Sequence, residues 1–167
     1  MLLSGSKFLP VDAIAVDGAL AWNGNWAWSL PLIVVNVIYH VIGLAFIKER
    51  VVRRHASLKN ERNFILRFAL VMGAATLLAI LLHVLEAALW AGVYFILGAL
   101  PDGKSALLYS LSAMTTYGHE NFFLEDHWRL MGALEALNGM ILFGLTTAFL
   151  YSIIGEVWPR GRRTDPA

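Results

Sequence analysis

Three long runs of apolar residues limit what this chain can fold into more than any other feature of its sequence. They cover residues 31–47, 64–100 and 129–154, and a helix needs ~17–25 apolar residues to cross the hydrocarbon core of a membrane. The chain is 58% hydrophobic, above the share found in soluble domains. The second run is too short for two crossings joined by a turn. We therefore expect an all-α membrane protein with three transmembrane helices.

The positive charges indicate on which side of the membrane each loop lies. One basic group lies within residues 48–62 and a second within residues 160–163, and basic loops stay on the cytoplasmic side. We expect the N-terminus outside and the C-terminus in the cytoplasm. Arg50, Arg53 and Arg54 form a candidate site for anionic lipid. The net charge of +1 gives no indication of a nucleic acid partner, and the absence of cysteine excludes disulfides and thiolate metal sites.

Residues 1–30 are predicted to form a separate segment outside the membrane or at its surface. Trp22, Trp26 and Trp28 lie close to the first apolar run, and tryptophan rings concentrate at the interface between membrane and water. The pattern of a secretory signal, with a basic start, an apolar core and a cleavage site, is absent. We interpret this segment as partly helical, and capping of a pore mouth is the alternative role.

A short apolar segment and a polar loop separate the second run from the third. Pro101 to Lys104 is a turn signal, and residues 105–114 make ~3 helical turns, which is too short to cross. The loop at residues 115–121 reads TTYGHEN. Polar backbone at membrane depth persists only when it is buried in protein or lines a water-filled cavity. The sequence therefore predicts a re-entrant helix followed by a pore-lining loop.

Polar residues also interrupt the first apolar run. Asn36, Tyr39 and His40 are spaced so that we expect all three on one helix face, packed against protein and not against lipid. For His40 the favoured interpretation is a hydrogen bond between helices, and metal binding is the weaker alternative.

The second and third runs carry carboxylates, which are costly in a membrane unless they have a partner. His83, Glu86 and Trp90 share a face by their spacing. Glu86 either bonds to a neighbouring helix or the back of the pore loop, or contacts a permeating ion. Glu135 and Asn138 lie together in the third run, and they face either a cavity below the loop or a neighbouring helix.

The order of helix, re-entrant helix, TTxG loop and glycine-bearing helix over residues 82–154 resembles the pore module of potassium channels, particularly bacterial two-helix pore proteins. The resemblance implies a homotetramer in the bacterial inner membrane, with an outer helix at 64–100, a pore helix at 105–114, a filter at 115–121 and an inner helix at 129–154. Gly139 or Gly144 would be the gating hinge. Residues 31–63 then add one helix and a basic loop, the module occupies 64–155, and 156–167 form a cytoplasmic tail. The filter residues implied are Thr115, Thr116, Tyr117, Gly118, His119 and Glu120.

The loop also departs from the family pattern TTVGYGD. Tyr117 stands at the valine position, His119 at the tyrosine position, and Glu120 at the second glycine. Four copies of Glu120 around an axis would form an acidic ring, which favours cations in general and divalent cations in particular. Four carboxylates so close together cannot all stay ionised cheaply, so some of them should have raised pKa values. Histidine titrates near neutral pH, and we therefore expect conduction to be sensitive to pH. A potassium pore with rearranged geometry is the next alternative.

We therefore expect a cation channel with permeant potassium, sodium or divalent ions, and neither catalytic residues, a cofactor nor a metal site. A non-conducting membrane scaffold or sensor is the main alternative, because a filter without its second glycine is also how a pore that lost conduction would look. An intramembrane metal protein or enzyme is a further alternative, built from carboxylates and imidazoles at suitable depth. Its candidate ligands are His83, Glu86, His119, Glu120, His127 and Glu135.

Overall fold

The computed structural model describes the backbone of residues 11–55, 63–115, 117–118 and 123–157, and within the first helix it describes side chains from residue 22 to residue 51. These ranges are mainly helical and contain no strand. The elements are α1 (Val11–His55), α2 (Phe64–Ile96), α3 (Gly103–Met114) and α4 (Arg129–Val157), with a 3-10 turn at Asp126–Trp128 just before α4.

Three stretches of the described chain are long and apolar enough to cross a membrane. They are Trp22–Val51, Phe64–Ile96 and Asp126–Val157. The prediction of an all-helical chain with three helices of spanning length is confirmed, and these helices indicate an integral membrane protein. At 12 residues, α3 extends for only ~18 Å, whereas the hydrocarbon core is ~30 Å thick.

The first helix begins well before residue 31, where the first apolar run begins. Pro31 lies inside α1, although proline removes a backbone hydrogen bond and more often marks a helix start. Earlier in α1, the buried Asn25 side chain donates to the carbonyl oxygen of His127 at 2.5 Å and accepts from the backbone N–H of Met131 at 2.8 Å. These bonds hold α1 against the start of α4. Residues 11–30 belong to the same helix as the first apolar run, whereas residues 1–10 of the expected surface segment lie outside the described residues. The place of this segment outside the membrane or at its surface stays a prediction.

The connection between α2 and α3 is set by a glycine and an aspartate. Gly98 has a φ of 67°, a left-handed conformation that favours glycine, and the following N–H of Ala99 donates to the carbonyl of Tyr94 at 2.9 Å. Helix α2 therefore ends at Ile96, short of residue 100. Asp102 then caps α3, since its Oδ1 accepts from the backbone N–H groups of Lys104 and Ser105, both at 2.9 Å.

The contacts at the two ends of the molecule fix the helix directions. Asn25 of α1 meets the start of α4, and Lys48 of α1 lies 2.5 Å from Glu156 near the end of α4. Helices α1 and α4 are therefore parallel, and α2 runs antiparallel to both. One apolar core, centred on Trp90, Tyr94 and Met131, lies at the α3 end, and a second lies at the end where α1 and α4 finish.

Much of the surface between these ends is apolar and exposed. Exposed side chains include Ile42 at 64%, Ile65 at 78% and Ile96 at 79% of their full area. A patch of this extent is unusual for a soluble monomer. It fits a protein whose helices contact lipid or further copies of the chain.

The predicted polar face of the first helix is only partly correct. Asn36 and His40 are fully buried, but Tyr39 is 44% exposed. Residues four positions apart, such as Asn36 and His40, lie close together around a helix. Consecutive residues, such as Tyr39 and His40, are ~100° apart. Asn36 and His40 therefore face the protein interior, while Tyr39 faces outward beside them.

Candidate functional site

The loop after α3 is described only in part, and the described residues are exposed. Thr115 follows the last residue of α3, and its hydroxyl donates to the carbonyl of Leu111 at 2.6 Å. Tyr117 is 86% exposed, and Gly118 has a φ of 94°. The left-handed conformation at Gly118 is one that a side chain would disfavour. Of the predicted filter, Thr116, His119 and Glu120 lie outside the described residues.

A buried carboxylate anchors α3 to the two spanning helices beside it. Glu135 of α4 is fully buried and accepts a hydrogen bond from the Tyr94 hydroxyl of α2 at 2.7 Å. Its other oxygen bonds with the Ser110 hydroxyl of α3, and this hydroxyl also lies 2.7 Å from the carbonyl oxygen of Ala87. Within this chain Glu135 therefore contacts neighbouring helices.

The number of hydrogen atoms at this anchor indicates which of its oxygen atoms donate hydrogen bonds and which accept them. The Ser110 hydroxyl has one hydrogen, but it lies between two acceptors, Ala87 O and Glu135 Oε1. A protonated Glu135 that donates to Ser110 leaves Ser110 free to donate to Ala87 O. Every polar atom of the group then has a partner, which a buried polar group requires.

Two glycines let α4 approach α3 closely. A Cβ atom at Gly139 would lie 2.5 Å from the carbonyl oxygen of Met114, and one at Gly132 would overlap the Tyr109 hydroxyl. Gly139 is therefore required for packing at the end of α3. Gly144 has no such neighbour within 4 Å. Bending at either Gly139 or Gly144 stays a prediction.

A second polar cluster lies where α1, α2 and α4 meet. His40 Nδ1 lies 2.7 Å from Glu86 Oε1, and His83 Nδ1 lies 3.2 Å from Glu86 Oε2. On their other edges, both imidazoles meet the hydroxyl of Thr146, with His40 Nε2 at 3.1 Å and His83 Nε2 at 3.0 Å. The ligand atoms of His40, His83 and Glu86 lie within 4.8 Å of one another, so these three can hold a metal ion.

Five further buried polar groups among the described residues have no hydrogen-bond partner. They are the side-chain amides of Asn36 and Asn138, the indole N–H groups of Trp90 and Trp128, and the hydroxyl of Ser29. Leaving such groups unpaired costs about 1–3 kcal/mol each. Asn138 therefore does not share the hydrogen bonds of Glu135, three residues earlier on the same helix.

The candidate metal ligands named from the sequence do not all lie together in the structure. Glu86 and His83 lie together, but Glu135 bonds to Tyr94 and Ser110 instead. The His127 side chain is 49% exposed beside Glu125.

Sequence reasoning missed three residues that complete the two clusters and a fourth, Asn25, that joins α1 to α4. Their partners are between 23 and 106 positions away in the chain, and helical spacing relates only residues on the same helix. The one local signal is that each is a polar or hydroxyl-bearing residue within an apolar helix. The residues are Asn25, Tyr94, Ser110 and Thr146.

The comparisons with known proteins leave the interpretation to the structure. No protein-family model matches this chain, and no curated protein or solved structure matches it significantly.

Proposed function

We propose that this protein is a homotetrameric cation channel of potassium-channel-like architecture, with weak or altered selectivity for potassium. The observation that carries the proposal is α3, a helix too short to cross a membrane that is packed between two helices long enough to do so. A short helix in that position is the arrangement a re-entrant pore helix requires.

The end of α3 is suited to cations. The C-terminus of a helix carries a partial negative charge, and α3 ends at Met114, directly before the polar loop. The anchor formed by Glu135, Tyr94 and Ser110 fixes that end relative to the spanning helices. A loop that starts from this anchored end would present its oxygen atoms to an ion, and oxygen atoms of this kind replace the ion's water shell in a filter.

The exposure of the loop supports assembly around an axis. In a single chain Tyr117 is 86% exposed and Thr115 is exposed as well. One copy supplies one loop, so a closed pore needs several copies, and fourfold symmetry is the arrangement known for carbonyl-lined filters. In such a ring, Glu120 from each subunit would add acidic groups and weaken the preference for potassium over other cations.

Flux through liposomes tests this proposal. Purified protein would be reconstituted and assayed for entry of potassium, sodium and calcium, with symmetry read from images of single particles. We expect fourfold particles that conduct cations, and a Glu120→Gln variant with altered relative permeability. Glu125→Gln is the matched control, since this exposed carboxylate lies outside the loop. Fourfold particles without flux would favour a non-conducting scaffold, and monomers would refute the pore altogether.

The orientation of the chain and its lipid contacts belong to the same proposal. The basic group that includes Arg50, Arg53 and Arg54 would lie in the cytoplasm and contact anionic headgroups. The guanidinium of Arg50 lies 4.6 Å from the centre of the Phe46 ring, so this charge stays close to the apolar part of α1. Replacing the three arginines by glutamine should reduce any dependence of flux on anionic lipid, which liposomes with and without that lipid would measure.

A further inference from the structure

The His40, His83, Glu86 and Thr146 cluster is enclosed by protein. His40 and Glu86 are fully buried, the His83 side chain is 11% exposed, and Thr146 is 9% exposed. The groups come from three different spanning helices. A carboxylate between two imidazoles at this depth needs compensating charge, and the channel proposal gives the cluster no role.

The hydrogen bonds assign the protons one at a time. An ionised carboxylate only accepts, so His40 Nδ1 carries the hydrogen that bonds to Glu86. The Nε2 atom of a neutral His40 is then an acceptor, and the Thr146 hydroxyl donates to it. The Thr146 oxygen in turn accepts from His83 Nε2.

This chain of bonds leaves one position unfilled. In a neutral His83 whose Nε2 carries the hydrogen, Nδ1 presents a lone pair. That lone pair faces Glu86 Oε2 at 3.2 Å, and neither atom has a hydrogen-bond partner. Two electron-rich atoms repel at this distance, so the cluster requires one more cation between them.

We propose that this cation is a divalent transition metal ion of the zinc type, bound by His40, His83 and the carboxylate of Glu86. Imidazole and carboxylate ligands suit such ions, and three protein ligands leave a fourth position for water. On binding, the hydrogen of His40 moves from Nδ1 to Nε2, so that Nδ1 becomes a ligand while the ring stays neutral. Thr146 then accepts from the outer nitrogen of at least one imidazole, which is how metal-binding histidines are oriented.

The present spacing allows binding with small side-chain movements. Ligand atoms around tetrahedral zinc are ~3.4 Å apart, given bonds of ~2.0–2.2 Å, and those of the cluster lie within 4.8 Å of one another. Because His40 is on α1 while His83 and Glu86 are on α2, the metal would join the additional first helix to the outer helix of the proposed pore.

Metal content of the purified full chain tests the proposal. The protein would be isolated through a tag without histidine, stripped with a chelator, and titrated with Zn²⁺, and with Co²⁺ for its visible absorption. We expect about one tightly bound zinc per chain and a Co²⁺ spectrum typical of four ligands. His40→Ala and His83→Ala should lose both signals, whereas Thr146→Val should retain binding at ~10–100-fold lower affinity.

Two controls separate this site from other candidates. His127→Ala removes an exposed imidazole outside the cluster, and a double His119→Ala, Glu120→Gln variant removes the ligands of the predicted filter. Both should bind zinc as the unaltered chain does, whether or not they conduct. Should the alanine variants at 40 and 83 fail to fold, the unaltered chain decides, because zinc must raise its melting temperature. Absence of stoichiometric zinc, or equal zinc after removal of His40, would show that a proton fills the position and would overturn the proposal.

Discussion

At Gly139 the backbone of α4 lies directly against the end of α3. A substitution of this single residue tests that contact. A Cβ atom there would lie 2.5 Å from the carbonyl oxygen of Met114. We expect Gly139→Ala to destabilise the protein by about 1–3 kcal/mol, because backbone has to move. Thermal unfolding in detergent would measure this change.

Gly144→Ala is the matched control for that substitution, since it makes the same change on the same helix. Nothing lies within 4 Å of a Cβ atom at Gly144. Stability should stay the same or rise by up to about 1 kcal/mol, because alanine favours helix over glycine. Equal losses at the two positions would mean that α4 does not approach α3 as described.

Tyr94 supplies one of the hydrogen bonds that hold Glu135, and its removal is the second residue-scale test. In Tyr94→Phe the oxygen Oε2 of Glu135 loses the bond from the tyrosine hydroxyl while remaining buried. We expect a loss of about 1–3 kcal/mol in the free energy of unfolding, the usual cost of an unsatisfied buried group. Tyr151→Phe, at a position 77% exposed, should change stability little. If both variants unfold alike, the anchor contributes nothing measurable.

Helical spacing predicted that His83 and Glu86 share one face of a helix, but it did not predict which polar residues of different helices contact each other. His83 and Glu86 were placed on one face from their positions alone, and the structure has them within 3.2 Å. The arrival of His40 and Thr146 beside them depends on how α1 and α4 are rotated and shifted against α2. Those quantities follow from packing over the full length of the helices, and short-range spacing does not contain them.

At the scale of elements, α3 depends on its cap. Asp102 accepts hydrogen bonds from the backbone and the hydroxyl of Ser105 and from the backbone of Lys104. These bonds, those from Ser105 above all, lower the pKa of the exposed Asp102 carboxyl below its usual 3.8. A lowered pKa means that the stabilisation is complete above the usual value and is lost as the pH falls through the folded value.

The corresponding prediction concerns Asp102→Ala. At neutral pH this variant should melt at a lower temperature than the unaltered chain, because the first turn of α3 loses its acceptor. The difference should shrink in strongly acidic solution, where the aspartate is protonated. Melting curves of both proteins across the acidic range would measure it, with Asp102→Asn as a cap that does not titrate. A difference independent of pH would contradict the charge of Asp102 as the cause.

The helices were predicted closely where local signals mark their ends, and poorly where distant contacts set them. Asp102 and Gly103 mark the start of α3, so the prediction of 105–114 comes within two residues of the observed Gly103–Met114. Pro31 indicated that the first helix starts there, but α1 already includes Asn25, whose side chain bonds to the start of α4. Helix α2 ends just before Gly98. The sequence prediction placed this end at residue 100 because it relied on the turn signal that starts at residue 101.

At the scale of the whole molecule, the ion pair between Lys48 and Glu156 reports on how the ends of α1 and α4 align. The pair is about half exposed, at 41% and 44% for the two side chains, so it should contribute no more than about 1 kcal/mol. Lys48→Glu should lower the melting temperature slightly and more so at low salt. Adding Glu156→Lys should restore it. If the double variant does not regain the melting temperature, the ends of α1 and α4 do not lie together as described.

The bonds of α2 also have a mechanical consequence, since neighbouring residues on this helix face different partners. Glu86 meets the imidazoles of His40 and His83, and the carbonyl oxygen of the next residue, Ala87, lies 2.7 Å from Ser110 of α3. A rotation of α2 that draws Glu86 toward His40 of α1 therefore also moves the Ala87 carbonyl that contacts α3. The position of α1 relative to α2 and the tilt of the short helix are thus linked through two adjacent residues of α2.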